Sequence, residues 1–275
     1  NSNGARGWLD GIEAKNLTVR LGDIRDARQV EDACRGVDVV YHLAALIAIP
    51  YSYEAPESYI QTNVMGTLNV LEGCRRAEVG RVVITSTSEV YGTPATLPIR
   101  ETHPLQAQSP YAASKIAADQ LALSYHRSFG LPVVVLRPFN TYGPRQSTRA
   151  VLPSIIGQLL KGKTVRLGRL DTRRDLTYVS DTVDGFVRAG TVAGIDGEVI
   201  QLGTGHWWMV DELVVLASSK MWKRDDFLIV QDTGLMRPDA SEVLVLQADP
   251  SKARELLGWS ARVDIGEGIA LTADW

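Results

Sequence analysis

Short apolar runs alternate with longer amphipathic stretches along this chain, the rhythm of strands alternating with helices. Val82, Val83 and Ile84 are a β-branched run of the kind that forms a buried parallel strand. The same reading places strands at LTVRLG (17 to 22), Val37 to Leu43, Leu131 to Leu136 and TVRLG (164 to 168). Helical periodicity falls between them. RDARQVEDAC predicts a helix stopped by Gly36, and residues 55 to 77 predict a long one with Tyr59, Val64, Leu68 and Leu71 as apolar positions. Pro110 to Phe129 predicts another. Ser109 suits its N-cap, Pro110 its first turn, and Gly130 its stop, while Ala112, Ala113, Ala117 and Ala118 permit close packing. AVLPSIIGQLLKGK, the stretch after RRDLTYVSD and two segments of the tail continue the helical pattern. The whole predicts an α/β fold with no internal repeat.

The strand at Val82–Ile84 stops abruptly at Thr85, Ser86, Thr87, Ser88 and Glu89, a cluster of hydroxyls closed by one carboxylate. In open α/β sheets ligands sit at the carboxyl ends of strands, so this cluster is a candidate site. Tyr111 and Lys115 are four apart at the start of a helical stretch and share one face. A lysine beside a phenol favours the phenolate, so the pair predicts a tyrosine base with a lowered pKa.

Composition narrows the picture. In 275 residues, 45% hydrophobic, there is room for one large α/β domain with a real core. The net charge of −3 offers no basic field for nucleic acid. No apolar run is long enough for a bilayer span and no signal-peptide pattern is present, which predicts a cytoplasmic protein. Cys34 and Cys74 have no CxxC spacing, and His42, His103, His126 and His206 have no ligand spacing; neither a disulfide nor a metal site is expected. His42, among apolar neighbours, reads as a core-edge residue.

Taken in order, GDIRD (22 to 26), VVYHLAA (39 to 45), TNVMGTLNVLE (62 to 72), TSTSEVYG (85 to 92), SPYAASK (109 to 115), RPFNTYGPRQ (137 to 146), RRDLTYVSD (173 to 181) and LLGW (256 to 259) resemble the extended short-chain dehydrogenase/reductase family. The resemblance lies in its NAD-dependent epimerase/dehydratase branch, and within it with the N-acetylglucosamine-type 4,6-dehydratases. It implies a Rossmann-like, doubly wound parallel sheet in residues 1–145 and a smaller α/β substrate region in 146–275, with some segments returning to the sheet. The family's opening strand and GxxGxxG turn have no counterpart: Gly4 and Gly7 do not meet the pattern. The sequence leaves open a truncation, an N-terminus upstream of Asn1, or a remnant that holds NAD poorly.

The resemblance assigns Asp23 and Ile24 to the adenine end of NAD, although Asp23 also reads as a helix cap. It puts Leu43, Ala44, Ala45, Thr62, Ser86, Tyr111, Lys115 and Pro138 around the same cofactor. Ser88, Asn140, Arg174 and Arg237 are implied to contact the nucleotide sugar, the arginines at its diphosphate, where guanidinium forks suit phosphate oxygens. It also implies a homodimer through the helix over 55–77 and the helix bearing Tyr111; ordinary burial is the competing account.

For the chemistry, the resemblance implies oxidation at C4 of a bound hexose with Tyr111 as base, aided by Lys115 and Thr87. Glu89 then removes the C5 proton, water is lost from C6, the hydride taken from C4 returns to C6, and a 4-keto-6-deoxy sugar results with NAD regenerated. Glu89 distinguishes this reading from a simple 4-epimerase, which needs no base at C5. UDP-glucuronate decarboxylases share the Thr-Ser-Glu run and stay open, as does an inactive remnant. Two departures stand out. Gln201 replaces an asparagine usual before the LGTG turn, and is expected to shift a substrate contact. Trp207 and Trp208 are adjacent, so an extended segment leaves one of them partly exposed.

Overall fold

The structure is a computed structural model that describes residues 9, 12, 14–222 and 226–275. Its centre is a parallel sheet. The chain enters through α1 (Ala27–Cys34), runs along β1 (Val39–His42), and turns through α2 (Ile49–Glu54) and α3 (Pro56–Tyr59). A π-helical turn at Ile60–Met65 joins α3 to α4 (Gly66–Arg76). Then come β2 (Arg81–Thr85), a 3-10 turn (Ser88–Tyr91), α5 (Pro110–Phe129), β3 (Val133–Pro138), β4 (Asn140–Tyr142), α6 (Val151–Lys161), β5 (Thr164–Leu167), β6 (Arg173–Arg174) and β7 (Leu176–Tyr178). The rest is α7 (Val179–Thr191), β8 (Val199–Leu202), β9 (Trp208–Met209), α8 (Val210–Trp222), β10 (Leu228–Gln231), β11 (Val245–Leu246), α9 (Ser251–Leu257) and α10 (Ile265–Asp274).

The central sheet has the order β1-β2-β3-β8, and every pairing in it is parallel. Successive residues of β2 and β3 point to opposite faces, and both faces are covered. Val82, Ile84, Val133 and Val135 pack with Val30 of α1, Leu71 of α4 and Leu123 of α5. Val83, Val134 and Leu136 pack on the other side with Ala189 of α7, Leu257 of α9 and Trp259. This explains why RVVIT shows no alternation: there is no solvent face, and each such side chain contributes about 1.5–3 kcal/mol by burial. The fold is therefore the expected α/β, Rossmann-like doubly wound sheet.

A second core lies beyond it. Leu152, Ile155 and Leu159 of α6, Val165 of β5, Leu213 and Val214 of α8 and Ile269 of α10 pack together. Its sheets are small: β5 pairs with β10, β4 with β7, and β6 lies between β11 and β9. Trp208 packs against this core, while Trp207, half-buried, lies under the Arg173 guanidinium, 4.5 Å from its ring centre. Both tryptophans are half-buried, so the expected division of one inside and one partly out is not what the segment shows.

Two elements differ from the sequence expectation. Residues 17–22 form no strand, and Leu21 is 78% exposed. A strand needs a neighbour to satisfy its backbone, and among the described residues nothing pairs with this segment; β1 is bonded to β2 alone. The helix over 55–77 is interrupted by the π-helical turn, a feature often found beside functional sites. Tyr59 and Leu71 in this stretch are fully buried inside the molecule, so intramolecular packing accounts for them. α5 agrees with its expected limits. Ser109 Oγ accepts from Ala112 N, and Gly130 takes the left-handed conformation that ends the helix.

Cys34 and Cys74 meet across α1 and α4 as buried thiols with their sulfurs 3.8 Å apart. Among the described residues no helix is long and apolar enough to cross a membrane.

Candidate active site

At the carboxyl end of β2 the chain leaves the sheet, and Thr87 caps the 3-10 turn that follows. Its Oγ1 accepts from Glu89 N at 3.2 Å. The hydroxyl proton stays free to donate, and it acts on the Tyr111 phenol. Tyr111 is 7% exposed, at the first turn of α5, with its ring edge-on to Tyr59 at 6.2 Å. Glu89, half-buried, is near enough to act electrostatically on both Tyr111 and Arg174. The turn thus holds a hydroxyl and a carboxylate beside one phenol, two residues apart.

The charge balance of Tyr111 corrects an expectation. Burial pushes its pKa up; Thr87 pulls it down, while Glu89, Asp119 and Tyr59 push it further up. Lys115 is not among the largest influences on it. The reason is geometric: Lys115 Nζ donates to the Thr85 carbonyl oxygen at 2.5 Å. Burial also lowers the Lys115 pKa, against a carboxylate that raises it. The protein alone therefore holds Tyr111 as the neutral phenol.

The other predicted residues divide. Ser86 is buried and its hydroxyl donates to Asp119 Oδ2 at 2.8 Å. Ser88 is likewise buried. Asp23 is not the cap of α1; Asp26 is, accepting from Arg28 N and Gln29 N. Asp23 is exposed and its bond to the Arg25 guanidinium brings its pKa down to about 2. Ile24 packs against α4 so closely that a Cβ on Gly66 would meet its Cδ1 at 2.5 Å. Leu43 and Ala44 are exposed just beyond β1, Leu43 by 63%, and Ala45 is half-buried. Thr62 is half-buried in the π-helical turn, and Pro138 ends β3.

Asn140 follows Pro138 at the start of β4. Its Oδ1 is buried without a hydrogen-bond partner. Arg174 is 7% exposed. Its Nη2 donates to Glu242 Oε1 at 2.9 Å, and burial lowers its pKa while Glu89 and Glu242 hold it up. Arg237 Nη1 lies 3.7 Å from the same Glu242 oxygen, beyond hydrogen-bond reach. Glu242 gathers the two predicted arginines, and sequence reasoning missed it. It also missed Asn63, which brackets Leu46 N and O and donates to Ser114 Oγ, tying the loop after β1 to α5. Gln201, expected near the substrate, is fully buried and donates to the carbonyls of Ile99 and Asp249. His42 is buried against Thr67 Oγ1 at 3.0 Å, as expected of a core-edge residue, and burial takes its pKa down to about 4.

These features define a parallel-sheet protein with a Tyr–Lys pair at a strand end, the architecture of the extended short-chain dehydrogenases. The family described as GDP-mannose 4,6 dehydratase matches residues 4–272, and the chain belongs to that family, within the NAD-dependent epimerase/dehydratases. It is 37% identical over 259 residues to a dTDP-glucose 4,6-dehydratase of Actinoplanes sp., covering 92% of this chain and 78% of that one. It is 36% identical over 244 residues to UDP-glucuronic acid decarboxylase 3 of Arabidopsis thaliana, covering 86% and 68%. A solved structure, the UDP-glucuronic acid 4-epimerase of Bacillus cereus with UDP-glucuronic acid and NAD, superposes with TM-score 0.83 at 30% identity, covering 92% of this chain and 79% of that one. Dehydration, decarboxylation and epimerisation are thus all represented among similar proteins.

The described residues fit a dinucleotide in part. The exposed Leu43–Ala44 rim offers apolar surface to a base, and the Asp23 carboxylate is of the kind that takes ribose hydroxyls. Gly4 and Gly7 lie outside the described residues.

Proposed function

We propose that this protein is an NAD-dependent nucleotide-sugar 4,6-dehydratase, converting a UDP- or GDP-hexose or N-acetylhexosamine to its 4-keto-6-deoxy form. The observation that carries this reading is Glu89, placed on the same short turn as Thr87 and close enough to act on both Tyr111 and Arg174. An epimerase needs no carboxylate there.

NAD, when bound, supplies the acceptor and donor of hydrogen, and its nicotinamide ring carries a positive charge of the sign that lowers a phenol's pKa. Asp23, Ile24, Leu43, Ala44, Ala45, Thr62, Ser86, Tyr111, Lys115 and Pro138 would hold it. Tyr111 takes the O4 proton while Thr87 donates to the same oxygen. Glu89 takes the C5 proton, made acidic by the adjacent C4 ketone, and passes a proton to the departing C6 hydroxyl. Arg174 and Arg237 take the diphosphate, and the unpartnered Asn140 Oδ1 accepts from a sugar or nucleotide donor. Residues 146–275 form the substrate side, and residues 1–145 most of the cofactor side. Exposed Ile60, Met65 and Phe129 on the π-helical turn and α5 support pairing of two copies along these helices.

The decarboxylase reading draws support from the 36% identity to the plant enzyme. The test is incubation with NAD and UDP- or GDP-N-acetylglucosamine. A 4-keto-6-deoxy product is expected. C4 inversion alone, or carbon dioxide released from UDP-glucuronate, assigns the alternatives; no NAD uptake by calorimetry makes the chain a remnant.

A further inference from the structure

α5 carries a third ionisable residue on the stripe of Tyr111 and Lys115. Asp119 lies one helical turn beyond Lys115 and is fully buried. Its Oδ2 accepts from Ser86 Oγ at 2.8 Å and from Arg137 Nε at 3.0 Å. Its Oδ1 has no hydrogen-bond partner. Ser86 belongs to the hydroxyl cluster ending β2, and Arg137 stands in β3 directly before Pro138. Arg137 Nη1 donates to the Tyr91 hydroxyl at 3.1 Å, and Tyr91 donates to Gln201 Oε1 in β8 at 3.2 Å. One carboxylate therefore ties the ends of β2 and β3 to the helix that bears the candidate base. A buried ion pair is a poor stabiliser, since packed apolar residues of the same volume often do as well or better. Stability alone does not explain this one.

We infer that Asp119 is a positioning residue for the Tyr111–Lys115 pair: anchored by Ser86 and Arg137, it keeps a negative charge one turn from Lys115 and holds that lysine as the ammonium. The inference rests on the roles proposed above, Tyr111 as the base and Lys115 as a residue holding the cofactor beside it. Burial works against the Lys115 charge, and Asp119 is the group that works for it. Burial also raises the pKa of Asp119, while Arg137, Ser86 and Lys115 pull it down. The other groups facing the pair come from three elements. His42 of β1 senses Lys115 and is neutral above about pH 4. Glu89 of the 3-10 turn and Tyr59 of α3 act on Tyr111. Without the Asp119 carboxylate, Lys115 gives up its proton at lower pH.

The test follows the side-chain titration of Lys115 by NMR in cofactor-free protein, with the signal assigned through Lys115→Met. In Asp119→Asn the midpoint should fall by about one pH unit or more, and the alkaline limb of the kcat/KM profile should move the same way. A variant in which activity drops but the Lys115 midpoint stays put overturns the inference, because lost packing lowers amplitude without moving a titration. If Asp119→Asn fails to fold with Arg137 left unpaired, Asp119→Asn/Arg137→Met removes the pair as a unit. Arg137 is not among the charges acting on Lys115, so the fall should persist. Tyr111→Phe separates the two claims: retained turnover sinks the acid–base assignment, whereas an inactive Tyr111→Phe together with an unmoved Lys115 midpoint in Asp119→Asn sinks this inference alone.

Discussion

Tyr111 and Lys115 stand on a twenty-residue helix, and Thr87 and Glu89 on a short turn set at the end of a buried strand, whereas Arg174 and Arg237 stand on a two-residue strand and a run of short turns. On the first side, position comes from regular elements that pack on both faces of a sheet. On the second it comes from one carboxylate, Glu242, which gathers two guanidinium groups that no continuous helix or strand aligns. A proton must move over fractions of an ångström, so its donors need a rigid frame. A diphosphate is grasped by long side chains, and loops suffice.

Substitutions on the two sides should therefore fail differently. Tyr111→Phe keeps the ring packed against Tyr59 and removes the hydroxyl of the proposed base. Turnover should drop by about a thousandfold or more with little change in KM, measured by formation of the 4-keto product. A comparable rise in KM instead would erase the distinction between the two sides.

The next effect concerns the frame. Burial takes the His42 pKa from 6.5 to about 4, so the unfolded chain binds the extra proton between those values. The stability tied to neutral His42 is fully present above about pH 6.5 and is lost as pH falls toward 4, on the order of 3 kcal/mol. Denaturant unfolding across this range should be less steeply pH-dependent in His42→Gln. Parallel curves for the two proteins would mean that this edge of the sheet is open to water.

On the recognition side, Arg174→Ala should raise KM about 10- to 100-fold, the worth of a charge-assisted hydrogen bond, and leave kcat nearly unchanged. Loss of kcat with KM intact would place Arg174 among the reacting groups. Calorimetry with UDP or GDP in place of the sugar nucleotide isolates the same contact.

Much of this division was legible in the sequence, and the reason is locality. Ser109, Pro110 and Gly130 each act within one turn, so the limits of α5 followed from three residues. The run Val82–Ile84 and the hydroxyl cluster after it likewise read directly. The strand expected over 17–22 did not form, because a strand depends on a neighbour rather than on its own residues. The π-helical turn in the helix over 55–77 has no compositional signature. Asp119 and Arg137 are 18 residues apart, and Arg174 and Glu242 are 68 apart; ion pairs across such distances leave no local pattern. The pKa of Tyr111 was misjudged for a related reason. Four-residue spacing put Lys115 on the right face, but only the fold shows its ammonium donating to Thr85 instead.

The division of labour between phenol and carboxylate is tested most directly by Glu89→Gln, mixed with NAD and the accepted nucleotide sugar. Oxidation at C4 should proceed, with reduced cofactor and the 4-keto hexose accumulating and no 6-deoxy product formed. Equal loss of oxidation and elimination, or a 6-deoxy sugar formed at the wild-type rate, would contradict the account.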